Sequence, residues 1–164
     1  MKNLLAKKNV LLCASILLSL VTFLTLVFNL WNVAAEGLFS AGQNGFAAIG
    51  GEYEGISWSE LFSSSFLATF SAIYSIILIV AAVALCAYAV FAYVKGKDMV
   101  KVSLIIAIIA VILAVIYLVI GILLVGQLED VEPPLSKFTS AFWPLIIQAV
   151  LACGTIVAGK LMKD

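Results

Sequence analysis

The side chains able to do chemistry in this 164-residue chain are nine carboxylates, nine lysines and three cysteines. There is no His and no Arg. Without imidazole there is no Ser-His general-base pair, no HExxH zinc helix and no haem ligation through His. Without guanidinium there is no bidentate clamp for phosphate or carboxylate. The acids are Glu36, Glu52, Glu54, Glu60, Asp98, Glu129, Asp130, Glu132 and Asp164, and none lies inside an apolar run. That pattern excludes a buried carboxylate pair for intramembrane proteolysis and an ionisable relay for proton-coupled transport. It also excludes small multidrug transporters, which need a carboxylate in their first span. No EF-hand spacing is present. The chain is expected not to be an enzyme, with no catalytic residue, no metal ligand set and no cofactor.

The remaining polar groups are neutral, and the elements carrying them are apolar. Hydrophobic residues make up 65% of the chain and charged residues 11%, against about 25% charged in an ordinary soluble domain. The mean hydropathy is +1.23. A soluble domain, a disordered chain and a nucleic-acid binder are excluded. Four apolar runs cover about residues 9–33, 66–94, 100–126 and 141–159. Each is near or above the roughly 20 residues that cross a bilayer, and backbone in lipid must pair within its own segment. The expected fold is an all-α integral membrane protein: one domain over residues 1–164, with four transmembrane helices in an antiparallel bundle. A structured outer loop, 34–65, joins the first two helices, and a second outer loop covers 127–140.

Charge orients this bundle. Lys2, Lys7, Lys8, Lys95, Lys97, Lys101, Lys160 and Lys163 fall on one side, and Lys137 alone on the other. The positive-inside rule then puts both termini in the cytoplasm of a multi-pass cell-membrane protein. Lys7 and Lys8 before the first run and Val33-Ala34-Ala35 after it also match a signal peptide, but the run is longer than a signal core. Cys13, Cys86 and Cys153 lie in the spans, so no outer disulfide framework is expected.

Polar residues in the first run, Ser15, Ser19, Thr22, Thr25, Asn29 and Asn32, recur at helical spacing and predict one inward or partner-facing stripe, with Gln148 of the fourth run as its partner. In the third run Ala107, Ala110, Ala114, Tyr117 and Gly121 form a small-residue seam. Thr22, Thr25, Asn29, Asn32, Ala107, Ala110, Ala114, Gly121 and Gln148 are the candidate packing or pore-lining residues. Gly96 and Asp98 predict a tight turn, with Gly closing one helix and Asp capping the next. Ser57-Trp58-Ser59-Glu60 reads as a capping box. It predicts a short interfacial helix, a bend at Ser63-Ser64-Ser65, and then the second span.

The first outer loop is too apolar to float in water, and Phe39, Phe46, Tyr53 and Trp58 are its candidate partner-binding anchors, since aromatic residues dominate binding hot spots. The four-span topology, with Glu36-Gly37-Leu38-Phe39 following Trp31, resembles the claudin group. The Trp of that group's loop signature is Phe39 here, and its loop cysteine pair is absent. The expected function is a non-catalytic membrane assembly protein, either an accessory subunit or a self-associating scaffold. Its partners are membrane lipids and either itself or another membrane protein, and no nucleic acid. The alternatives are an oligomeric passive pore with a polar first-helix lining, or a protein binding a lipid or other apolar ligand under the outer loop.

Overall fold

The first apolar run leaves the helix well before Val33. Helix α1 spans Lys7–Leu24 and tightens into a 3-10 turn at Thr25–Val27; strand β1 then runs over Asn29–Ala35. This computed structural model describes residues 6–35, 39–50, 52–53, 56–57, 65–127 and 136–162. α1 and its turn comprise 21 residues, about 32 Å of helix, which already matches a hydrocarbon core of about 30 Å. The rest of the run is free to leave the helix. Asn29 and Asn32, weak helix formers that compete for backbone partners, lie in that departing segment. The expected helix over 9–33 is corrected accordingly.

The chain continues through β2 (Phe39–Asn44), α2 (Gly45–Gly50), β3 (Glu52–Tyr53) and β4 (Ile56–Ser57). Next come α3 (Ser65–Val94), α4 (Met99–Gln127), β5 (Ser136–Phe138) and α5 (Phe142–Leu161). The fold is mostly helical, and α1, α3, α4 and α5 are long and apolar enough to cross a membrane. The later three match the apolar runs to within two residues. The expected capping box at Ser57–Glu60 and most of the interfacial helix lie outside the described residues.

α1 and α4 form the centre of the bundle. Each packs against the other and against both α3 and α5, while α3 and α5 scarcely meet. The buried face of α4 reads Val102, Ile106, Ala107, Ala110, Ala114, Tyr117, Gly121 and Leu124, a helical repeat whose small residues let neighbouring backbones approach. Its other face is also apolar but exposed, with Ile108, Ile112 and Ile122. That pattern suits a helix whose solvent is lipid.

The turn between α3 and α4 is closed by local hydrogen bonds. Lys97 N–H donates to Ala92 O at 2.9 Å and Gly96 N–H to Tyr93 O at 3.1 Å, the double bond of a Schellman cap. Gly96 sits at φ 66°, where a Cβ would be strained. Asp98 Oδ1 accepts from Val100 N–H at 3.0 Å and starts α4.

The segments between the long helices add a sheet that the all-α reading lacked. β1 is its centre, antiparallel to β2 on one side and to β5 on the other. Asn32 pairs with Gly42 across one ladder and with Phe138 across the other. The backbone leaving α1 needs new hydrogen-bond partners, and β2 and β5 supply them.

Candidate functional site

Inside the bundle the polar stripe is turned upon itself. Ser15 donates to Leu11 O at 2.8 Å, and Ser19 to Ser15 O, Thr22 to Leu18 O and Thr25 to Val21 O, each at 2.9 Å. Each hydroxyl bonds its own helix one turn back, the usual fate of Ser and Thr within an apolar helix. Gln148 of α5 is fully buried, and its Nε2 donates to Leu18 O at 3.1 Å and to Thr22 Oγ1 at 2.9 Å. The amide thus joins α5 to α1. Its Oε1 has no hydrogen-bond partner.

Asn29 and Asn32 do not extend this stripe, because they stand in β1. The six-residue helical face is corrected to the four hydroxyl residues that lie in α1 and its turn. Asn29 Nδ2 donates to Asn32 Oδ1 at 2.6 Å, and Asn32 Nδ2 donates to Ser140 Oγ at 3.2 Å. Ser140 N–H and Thr139 Oγ1 both donate to Asn29 O, at 3.1 and 3.3 Å. These bonds clasp the strand leaving α1 to the segment entering α5. Gly42 lies against the clasp: a Cβ there would stand 2.5 Å from Asn32 Oδ1 and 2.7 Å from Trp31 O.

The cap formed by β1, β2, β5 and α2 rests on two helices: α2 packs on α3, and β1 packs on α4, where two residues let it approach. Tyr117 is 1% exposed, and its hydroxyl donates to Phe28 O at 2.7 Å and is hydrogen-bonded by the backbone of Gly45. One turn further, a Cβ on Gly121 would lie 2.5 Å from Thr139 Oγ1 and 2.9 Å from Leu30 O. The missing side chain lets the strand lie directly on the helix. Sequence reasoning placed Tyr117 and Gly121 in a packing seam but missed this mounting. No local signal marks Phe28, Gly45 or Thr139, which are brought to α4 from distant parts of the chain.

The other expected residues are dispersed. Ala107, Ala110 and Ala114 are buried on α4. Phe39 pairs with Ala35 at the end of β2, and Tyr53 pairs with Ile56 in the short β3–β4 ladder. Phe46, at 39% exposure, meets Phe23 edge-on at 5.6 Å. Trp58 lies outside the described residues. The cap end also presents Ile49, Phe138, Phe142 and Trp143, all exposed. The described cysteines Cys13, Cys86 and Cys153 are free, and among the described residues no cluster of His, Cys, Asp or Glu could hold a metal.

No family model, curated protein or solved structure matches the chain. The functional reading therefore stands on the geometry: a bundle whose polar groups are turned inward and a cap fixed to its end with aromatic and aliphatic groups exposed.

Proposed function

We propose that this chain is a non-catalytic membrane assembly protein, an accessory subunit or a self-associating scaffold that engages its partner through the outer cap. The bundle inserts as antiparallel spans, with both termini and the α3–α4 turn in the cytoplasm and the cap outside. The observation that carries this reading is the cap itself. It is held by Tyr117, Gly121 and the Asn29–Asn32–Ser140 clasp, so its surface is presented in a fixed arrangement. A pre-ordered surface binds without a large ordering cost. Phe46, Ile49 and Phe138 are exposed on it and belong to the residue types that anchor interfaces. Phe39, Tyr53 and Trp58 remain proposed anchors on sequence grounds.

The pore reading draws less support. It relied on Thr22, Thr25, Asn29 and Asn32 lining one path, whereas both threonine hydroxyls bond carbonyls of α1 and both asparagines belong to the cap.

The test is the mass of the intact complex formed by the full chain purified in mild detergent. A homo-oligomer or a stoichiometric second membrane protein is expected. Phe46→Ala combined with Trp58→Ala should release that partner while leaving helical content unchanged. A strictly monomeric chain, or an association indifferent to both changes, overturns the proposal.

A further inference from the structure

On the flank of the bundle a groove runs between α1 and α3. Ile16, Leu20 and Phe23 of α1 face Ala82, Val83 and Cys86 of α3 across a space of about 240 Å³. From Val83 and Cys86 the depression continues past Ala87 and Val90 to Phe91. Its lining is almost wholly apolar; the part beside Ala82 lies between the two helices, and the part beyond Cys86 is a shallower depression on α3. From Ala82 to Phe91 the groove follows α3 for nine residues, about 14 Å, which is about half of a 30 Å hydrocarbon core. It therefore spans one leaflet, and it lies in the half of α3 that ends at the lysine-rich turn.

Basic groups gather where the groove ends. Lys95 Nζ and Lys97 Nζ stand 5.9 and 5.6 Å from the centroid of the Phe91 ring. Lys8 Nζ stands 5.8 Å from the ring of Tyr93, whose hydroxyl donates to Asn9 Oδ1 of α1 at 2.7 Å. The nearby carboxylate is engaged elsewhere: Asp98 caps α4 with Oδ1, and its Oδ2 lies 4.0 Å from Lys101. Among the described residues no carboxylate forms an ion pair with Lys8, Lys95 or Lys97. An apolar groove one leaflet long, ending at ammonium groups that have no carboxylate partner among the described residues, complements one kind of molecule.

We infer that this groove binds an anionic phospholipid of the lysine-side leaflet, with an acyl chain between α1 and α3 and the headgroup phosphate at Lys95 and Lys97. Basic pockets beside membrane helices recognise anionic headgroups in this manner. The inference rests on the membrane reading above.

The experiment is native mass spectrometry of the full-length protein in mild detergent, offered equal amounts of phosphatidylglycerol and phosphatidylcholine of matched chain length. Retention of phosphatidylglycerol should exceed that of phosphatidylcholine, and Lys95→Gln with Lys97→Gln should remove the preference, at about five-fold for each lysine lost. Ala87→Phe fills the groove while keeping both charges and should reduce phosphatidylglycerol retention. Inorganic phosphate at the same concentration should not displace the lipid. Equal retention of the two lipids, a preference that survives the double lysine variant, retention indifferent to Ala87→Phe, or displacement by inorganic phosphate overturns the inference. Resistance of the chain to carbonate extraction from membranes is measured alongside. A resistant chain without lipid preference fails the lipid site alone, whereas an extractable chain fails the membrane reading with it.

Discussion

The hydroxyl of Tyr117 donates a 2.7 Å hydrogen bond to the carbonyl of Phe28, 89 residues earlier in the chain. Phe28 is where the helical path of α1 ends and the extended path of β1 begins. A carbonyl at a helix exit has lost its intrahelical partner, and a phenol on another helix supplies one. The bond ties the place where α1 stops to α4.

Tyr117→Phe should therefore act locally. It leaves the ring packed and removes a donor from a sequestered carbonyl, which costs about 1–3 kcal/mol. Hydrogen exchange at the amides of residues 28–32 should accelerate, while the α3–α4 turn stays as protected as before. Uniform loss of protection through the bundle would contradict this assignment.

The two glycines Gly121 and Gly154 should respond in opposite ways to alanine. At Gly121 the new methyl meets Thr139 and the Leu30 carbonyl, and overpacking of this kind costs about 1–3 kcal/mol. At Gly154 nothing lies within 4 Å of the added carbon. There the change should be neutral or stabilising by up to about 1 kcal/mol through helix propensity. Unfolding in mixed micelles, followed by circular dichroism, compares the pair.

Gln148→Leu should be nearly silent in stability. Leu18 O keeps the Thr22 hydroxyl as a donor, the orphaned Oε1 disappears, and hydrogen bonds between membrane helices average only about 0.6 kcal/mol. A change within about 1 kcal/mol is expected in the same unfolding assay. A loss of several kcal/mol would mean that the amide holds α5 in place.

Asn32→Ala removes one link of the clasp to the segment preceding α5. Loss of a buried or half-buried side-chain hydrogen bond costs about 0.5–1.5 kcal/mol. Exchange at residues 136–141 should rise more than exchange at 39–44, because β2 holds β1 through six paired residues and β5 holds it through only three. Equal rises on both sides would place the clasp elsewhere.

The long helices could be read from the sequence because lipid-compatible runs have few alternative structures. Val100-to-Gly126 hydrophobicity with alanines every three or four residues specifies both a helix and its inward face. The α3–α4 turn was equally legible, since Gly96 and Asp98 carry their roles in their own chemistry. The cap was not. Asn29 and Asn32 continue the helical spacing of Thr22 and Thr25, and periodicity alone cannot show that 21 residues are already long enough to cross a membrane. The sheet depends on β5 reaching β1 across about a hundred residues, a pairing without a local signature. For the same reason Tyr117 read as a packing residue, although its oxygen bonds the chain where it leaves α1.

The pairing of β1 with β5 also imposes an order in time. Ser136–Phe138 leave the ribosome about a hundred residues after the β1 residues they pair with. At 5–20 residues per second that is roughly 5–20 s. During this interval β1 has β2 beside it and its other edge open, and exposed strand edges recruit whatever strand is nearby. The nascent chain is thus exposed to mispairing along that edge until β5 has been made, and only then is β1 paired on both sides.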